Sequence, residues 1–161
     1  MATPGYMWLT DDQGSAINGT VNVSGRENSI EVTGFQHRIY IPNDQDTGAL
    51  TGTRKHEPFV VTKVFDSASP ILNKACCSGK TLQEVKLSWY RINAQGQEEE
   101  YFQHVLNNAK VVAVEPVMAD IKDKSKESQG HLENVAFRYE KIRWKYLDGN
   151  IATEDQWSEK V

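Results

Sequence analysis

The sequence predicts a mainly β protein, a barrel or a sandwich with one short helix. Apolar residues alternate with polar ones at a period of two from end to end, as at Val85, Leu87 and Trp89. Only the segment 67–78 has the pattern of a helix. The chain has 161 residues and no internal repeat or linker, so residues 1–161 are predicted to form one domain.

Strand-like segments follow one another along most of the chain, and two of them change parity partway. Apolar Ile30 and Val32 are followed by Phe35, and Tyr139 is followed by Ile142. A shift of one residue swaps the buried face, so each change implies a bulge, the first of them at Gly34. Strand segments are predicted at Tyr6–Asp11, Ile17–Val23, Ile30–Ile41, Phe59–Phe65, Val85–Ile92, Glu100–Leu106, Val111–Met118 and Val135–Tyr146.

The helix and the turns have their own signals. Pro70 suits the first turn of a helix and Gly79 suits its end. The sequence NAQGQ at 93–97 predicts a hairpin turn, and the polar segment 122–130 predicts a loop. The predicted buried face of the helix consists of Ile71, Leu72, Ala75 and Cys76.

Charge and targeting signals exclude several classes of protein. The net charge of −4, from 18 basic and 22 acidic residues, is too weak and of the wrong sign to attract nucleic acid. No segment approaches the ~18 apolar residues of a membrane span, and the N-terminal residues lack a signal-peptide pattern, so we expect cytoplasmic synthesis without membrane insertion. The adjacent Cys76 and Cys77 are poorly placed to pair with each other, which is typical of a reducing compartment.

No residue pattern predicts catalysis, a metal or a cofactor. The four histidines lack metal-binding spacing, and the sequence SGKT at 78–81 lacks the earlier glycine of a phosphate-binding loop. The tryptophans could form a sugar-stacking platform, which leaves a carbohydrate-binding β-sandwich as the alternative function. Trp89 and Trp144 fall on the apolar parity of their strands, however, so we expect them in the core.

The most informative segment is the long polar excursion between two strand-like runs at residues 40–59, YIPNDQDTGALTGTRKHEPF. Ordered loops of this length are usually binding elements, and this one has no catalytic set. Its small residues, one leucine and one arginine suit docking onto another protein surface. We therefore interpret it as an assembly arm, with a predicted subunit interface at Asn43, Asp44, Thr47, Gly48, Leu50, Thr51, Gly52, Thr53, Arg54 and His56.

Long ungapped blocks of the chain resemble the haemolysin-coregulated proteins (Hcp), which form the inner tube of bacterial type VI secretion systems. The resemblance extends over nearly the whole chain. Its blocks include YMWLTDDQG at 6–14, IYIPNDQDTGALTGTRKHEPF at 39–59, SWYRINAQGQEEEYF at 88–102, PVMADIKD at 116–123 and RYEKIRWKYLDGNI at 138–151. Asn28, where a glycine is expected, and the Cys76–Cys77 pair depart from the family pattern.

This resemblance implies a closed β-barrel of two sheets with one short flanking helix. It also implies homo-hexameric rings that stack into a hollow tube, a contractile sheath that expels the tube, and a spike and effector proteins that travel with it. The implied protein is assembled in the cytoplasm, secreted without a cleaved signal peptide, and not an enzyme.

Overall fold

The computed structural model describes residues 3–157, which form twelve β-strands, one α-helix and one short 3-10 helix at Lys124–Lys126. The helix α1 is Ser69–Ser78. The strands are β1 Gly5–Thr10, β2 Ala16–Ile17, β3 Ile30–Val32, β4 Gly34–Gln36, β5 Ile39–Tyr40, β6 Lys55–His56, β7 Phe59–Val64, β8 Thr81–Ile92, β9 Glu98–Met118, β10 His131–Arg138, β11 Lys141–Tyr146 and β12 Ile151–Gln156.

Ten of these strands form one antiparallel sheet in the order β2-β1-β8-β9-β10-β7-β4, and β5 and β6 form a separate two-stranded sheet. Strand β11 pairs with β9 and β12, and β3 pairs with β1. The segment from Ile30 to Gln36 therefore pairs with two strands that are far apart in this order, since β3 pairs with β1 and β4 pairs with β7. Between them, the Thr33 N–H donates to the Thr62 carbonyl at 2.8 Å.

The predicted mainly β class with one short flanking helix is confirmed. The strand pairing does not show the implied two sheets closed as a barrel. Ten strands belong to one sheet, and the second sheet has only two short strands. The reason lies in β9, which pairs along one edge with β8 and along the other with β10 and β11. A strand shared in this way joins into one sheet the strands that the resemblance assigned to two.

Strand boundaries differ from the expectation in several places. The predicted strand Ile17–Val23 is only Ala16–Ile17, and the predicted strand Ile30–Ile41 is divided into β3, β4 and β5. The predicted strands at 100–106 and 111–118 are one strand of 21 residues, which continues through the polar sequence NNAK at 107–110 with Asn108 at a φ of 50°. Strand β12 was not predicted, because its residues lack apolar alternation. The hairpin turn at 93–97 is confirmed, with the Asn93 side chain accepting from the N–H groups of Gln95 and Gln97.

The parity changes lie where the sequence predicts them, but as breaks between strands and not as the predicted bulges: the register shifts lie at Ala136/Phe137 and Trp89/Tyr90. Strand pairing switches partner at Thr33–Gly34, and Tyr139 and Ile142 are both buried although they lie three residues apart. Helix α1 ends at Gly79, which adopts a φ of 66°. Leu72 and Ala75 face the core, whereas the predicted core residue Ile71 is exposed.

The core is one cluster of buried side chains contributed mostly by the strands of the large sheet and partly by α1. The described residues contain no helix long and apolar enough to cross a membrane. A buried ion cluster fixes the start of the helix. Lys63 Nζ lies 3.0 Å from Asp66 Oδ1 and also binds the carboxylate of Glu133. Ser69, the first residue of α1, donates to Glu133 at 2.7 Å, so the cluster joins β7, β10 and the helix.

Candidate functional site

Phe59 is the first residue of β7, so the arm in the structure consists of residues 40–58 of this excursion and runs from β5 to β7. At its base, Ile39 pairs with His56 and Tyr40 with Lys55. Further out, Asn43 bridges to Leu50, and the Thr51 N–H donates to the Pro42 carbonyl at 2.9 Å. The arm is therefore a long hairpin with internal pairing.

The tip of the arm is held by Asp44. Its Oδ1 accepts from the N–H of Asp46 at 2.8 Å and of Thr47 at 3.1 Å. These backbone hydrogen bonds, from Thr47 and Asp46, hold the pKa of Asp44 below its usual value. Gly48 closes the turn with a φ of 73°, a conformation that glycine adopts without strain. The tip thus has one defined shape before it meets a partner.

The base of the arm is bound to the C-terminal strand β12. Arg54 Nε donates to Asp155 Oδ2 at 2.6 Å, and its Nη2 donates to the Gln156 carbonyl at the same distance. His56 Nε2 lies 2.6 Å from the same Asp155 oxygen. These contacts link residues about a hundred positions apart and fix the angle at which the arm leaves the body.

A hydrogen-bonded chain continues from this carboxylate into the protein. The Tyr139 hydroxyl lies 2.6 Å from His56 Nδ1 and 2.9 Å from His37 Nε2. The other face of the base is held by Arg138, which donates to the His56 carbonyl at 2.9 Å. The arm base is therefore connected to β10, β12 and the segment before β5.

Burial and charge set the titration of these groups. Burial alone would raise the pKa of Asp155, but the hydrogen bonds from Arg54 and His56 outweigh it and lower the pKa. Burial, assisted by the nearby His56, lowers the pKa of His37. Burial raises the pKa of Tyr139, so its hydroxyl keeps its proton. The hydrogen-bonded chain from Asp155 to His37 therefore acts as a structural link at neutral pH.

The ten predicted interface residues divide into two groups. Arg54 is half-buried and His56 is buried, and both bind Asp155 of their own chain. The remaining eight are exposed on the arm: Asn43, Asp44, Thr47, Gly48, Leu50, Thr51, Gly52 and Thr53. Leu50 has 67% of its surface exposed.

Sequence reasoning missed the residues that hold the arm: His37, Tyr139 and Asp155. Their separation from Arg54 and His56 along the chain leaves no spacing signal, and only the pairing of β11 with β12 brings Asp155 beside the arm. The unusual combination of a histidine and an arginine near the end of a polar loop was the one hint available.

An aromatic cluster lies next to the arm base. Phe35 stacks on Trp89 at a ring distance of 4.3 Å and on Phe59 at 5.5 Å. A cleft of about 280 Å³ opens beside Phe35, Trp89 and His104. Burial lowers the pKa of His104 to about 4, with a smaller contribution from His37.

Residues 3–157 contain no group of three or more histidine, cysteine or carboxylate side chains placed to hold a metal ion. Cys76 is half-buried beside the core and Cys77 is exposed, and neither forms a disulfide within the described chain. Trp89 and Trp144 pack against the core, as predicted, so they do not form a flat exposed platform for a sugar.

A family model for the type VI secretion system effector Hcp matches residues 6–146. The chain belongs to the Hcp family. The match includes the arm and all of the strands except β12 and the first residue of β1.

Relatives of known sequence and structure agree with this membership. The "Major exported protein" of Pseudomonas aeruginosa is 38% identical over 170 aligned residues, which cover 100% of this chain and 99% of that protein. The structure of a double mutant of Hcp1 from the E. coli EAEC 042 pathovar is 52% identical, with a TM-score of 0.88 over 97% of this chain and 99% of that one. Hcp3 from P. aeruginosa is 34% identical, with a TM-score of 0.80 over 98% of this chain and 100% of that one.

The arm and its base thus belong to an Hcp protein of the type VI secretion system. Hcp proteins are structural components of the secretion tube, and the resemblance seen in the sequence is confirmed.

Proposed function

We propose that six copies of this protein close into a ring, that rings stack into a hollow tube, and that the arm carries contacts between copies. Membership of the Hcp family supports the tube role. The observation that carries the assembly role of the arm is Leu50, which stands 67% exposed on a hairpin whose tip and base are both fixed by hydrogen bonds.

An ordered arm is suited to assembly for a thermodynamic reason. A flexible loop loses conformational entropy when it binds, and this loss weakens the binding. A preformed hairpin has already lost that entropy on folding. The Asp44 turn and the Arg54–Asp155 contact supply this order. An exposed apolar side chain on such a support can be buried by a partner without the arm being reordered.

The sheet also offers edges for contacts between copies. Strand β12 pairs with β11 alone within the described chain, so one of its edges has no strand partner in the protomer. Unpaired edges attract uncontrolled pairing, and closure into a ring covers them.

Within the secretion system, the tube would assemble in the cytoplasm and be expelled by a contractile sheath together with a spike and effector proteins. The name of the P. aeruginosa relative, "Major exported protein", supports export of this chain as well. The role is structural, and the protein acts through its shape and contacts with no chemical step of its own.

The experiment replaces residues 47–53 with a shorter Gly-Ser turn and compares particle mass by light scattering and negative-stain microscopy. The fold should persist, because the replaced residues are exposed and contribute nothing to the core. Rings or stacks should be lost. The matched control is Ala94→Gly with Gln95→Ser in the exposed hairpin turn, which should assemble as the parent does. Unchanged rings and stacks in the arm variant would overturn the proposal.

A further inference from the structure

Two histidines share the Tyr139 hydroxyl at the base of the arm. The hydroxyl oxygen lies 2.6 Å from His56 Nδ1 and 2.9 Å from His37 Nε2. Two such distances through one oxygen place the two ring nitrogens within about 5.5 Å of each other. His56 and Tyr139 are buried and His37 is half-buried, so these groups satisfy one another and not water.

The inventory of donors and acceptors fixes the direction of this chain when both histidines are neutral. The ionised Asp155 carboxylate can only accept, so His56 presents a protonated Nε2 to it and an unprotonated Nδ1 to Tyr139. The Tyr139 hydroxyl then donates to His56, and its oxygen accepts from a protonated Nε2 of His37. Each of these hydrogen bonds has one donor and one acceptor.

The chain can take up one proton without the loss of a hydrogen bond. If His37 is protonated, its Nε2 continues to donate to Tyr139 and the other bonds are unchanged. If His56 is protonated instead, its Nδ1 becomes a donor, and Tyr139 reverses to donate to an unprotonated Nε2 of His37. The first proton therefore leaves the arm base intact, whichever histidine receives it.

A second proton cannot be accommodated in this way. When both histidines are protonated, both ring nitrogens donate to Tyr139, and the hydroxyl proton has no acceptor left in the chain. A buried donor without a partner is destabilising, and two imidazolium charges so close together repel each other. The doubly protonated chain is therefore expected to open.

The surrounding charges do not compensate for the second proton. The two carboxylates that face the histidines already lie beside arginines, Asp155 at 2.6 Å from Arg54 and Glu57 at 3.5 Å from Arg38. The charged and titratable groups facing the two histidines are Arg38, Arg54, Glu57, His104, Arg138, Tyr139 and Asp155. Positive groups outnumber negative ones in this set even before a histidine is protonated.

We propose that the hydrogen-bonded chain from Asp155 to His37 is an acid-sensitive switch, which holds the arm base while at most one histidine is protonated and releases it when both are. The switch acts on β5, β6 and the arm that they support. Its effect on particle assembly rests on the proposed function of the arm. The opening of the arm base itself does not.

The sign of the pH dependence follows from His37. Burial, followed by the charge of His56, lowers the pKa of His37 below its usual value of about 6.5. An arm that has left the body frees the histidine from this constraint, so the open form binds more protons and is favoured as the pH falls below about 6.5. The pKa of Asp155 is lowered and that of His104 is about 4, so both groups keep their charge state at pH 5.

Hydrogen exchange of the parent protein at about pH 7.5 and pH 5 tests the switch. The readout is the protection of amides at the arm base, corrected for the intrinsic pH dependence of exchange. One such amide is the Glu57 N–H, which donates to the Arg38 carbonyl at 3.0 Å. Its protection should fall by about tenfold or more relative to that of β8 when the pH is lowered. Equal relative protection at the two pH values would overturn the inference.

The variant His37→Gln separates the switch from a general loss of stability in acid. A glutamine side chain can donate to Tyr139 or accept from it but takes up no proton, so the arm should stay protected at pH 5. His131→Gln is the matched control, because His131 is exposed and stacks on Phe65, and its arm should open as the parent's does. Opening of His37→Gln at the same pH as the parent would refute the switch.

A titration of the parent protein makes the test independent of any substitution. NMR spectra of ring-labelled histidine should show His37 and His56 taking up protons in two separate steps, as coupled groups do. The protection of the arm base should be lost with the second step. Loss of protection with the first step would contradict the inference.

Particle mass at the same two pH values separates the switch from the assembly role of the arm. Opening of the arm base with rings or stacks intact would overturn the assembly role and leave the switch standing. Dissociation with the arm base still protected would overturn the switch and leave the assembly role standing. The expected result is that the parent opens and dissociates at pH 5, whereas His37→Gln does neither.

Discussion

The Trp89 indole N–H donates to His104 Nδ1 at 2.7 Å across neighbouring strands. This geometry requires a neutral His104 with its proton on Nε2, because a protonated Nδ1 has no lone pair to accept with. The low pKa of His104, about 4, has burial as its main cause. The hydrogen bond and the burial therefore favour the same neutral tautomer.

Stability should fall in mild acid because of His104. An unfolded histidine has a pKa of about 6.5, so the unfolded chain binds more protons between pH 6.5 and 4, and stability is lost as the pH falls through this window. The loss between pH 7 and pH 5 should be about 1–2 kcal/mol, and His37 adds in the same direction. His104→Gln, which keeps an acceptor but does not titrate, should flatten the dependence seen in urea unfolding. An equally steep dependence in this variant would refute the assignment.

The buried Lys63 cluster should be costly to break. Lys63→Met leaves the carboxylates of Asp66 and Glu133 buried without their cation, and removal of one partner from such a cluster costs about 3–5 kcal/mol. Lys80→Met is the control, because the Lys80–Asp12 pair is well exposed and worth less than about 1 kcal/mol. Urea unfolding of both variants checks the contrast, and equal losses would contradict it.

Gly5 should not tolerate alanine. A Cβ at this position would lie 2.5 Å from Cε3 of Trp89, whose indole is held by His104 and Phe35. Overpacking of this kind costs about 1–3 kcal/mol. Gly34→Ala is the matched control, since its Cβ would meet Thr62 at an ordinary 3.7 Å. Thermal melting with tryptophan fluorescence should show a lower midpoint and an altered Trp89 signal for Gly5→Ala only.

The two cysteines should be dispensable for assembly. Cys76 packs at the edge of the core and Cys77 is exposed. Cys76→Ala with Cys77→Ala should lower stability by about 1 kcal/mol and leave particle mass unchanged. Loss of rings with the circular dichroism spectrum preserved would instead place an interface on α1.

The Asp155 carboxylate should control the order of the arm. Asp155→Ala removes the acceptor of both Arg54 and His56, so amide hydrogen exchange should quicken in residues 40–58 and not in β8. Asp148→Ala removes an exposed carboxylate 3.8 Å from Arg91 and serves as the control. Unchanged exchange in the arm of Asp155→Ala would show that the base is held by other contacts.

Local sequence signals predicted those parts of the fold that depend on neighbouring residues. The helix stop at Gly79, the turn at Asn93 and the parity change after Tyr139 all depend on such short-range chemistry. The continuous β9 was missed, because its polar residues 107–110 are tolerated where a strand bends between two partners.

The candidate site was predicted in outline only. The arm was visible as a long polar loop, and eight of its ten predicted interface residues are exposed, while their role as an interface stays a prediction. The contacts of Arg54 and His56 with Asp155 could not be predicted from the sequence. Asp155 lies on β12, whose residues lack the apolar alternation that predicts a strand. Long-range contacts between polar residues leave no periodic signal in a single sequence.

The pairing of β1 with β8 has a consequence for how the chain is made. Gly5 pairs with Trp89, and Tyr6 with Ser88, so one edge of the first strand has no partner until more than half of the chain has left the ribosome, although β2 and β3 can pair with its other edge earlier. Sheets built from such distant pairings fold slowly, in milliseconds to seconds. The two ends of a long loop must meet, with a loss of entropy, before any stabilising contact can form between them. The hairpin of β8 and β9 is the longest local pairing in the described chain, and it offers a template onto which the N-terminal strand can add. Copies synthesised close together on one messenger RNA would therefore expose unpaired strand edges to one another. The speed of translation would then affect the fraction of copies that reaches the native state.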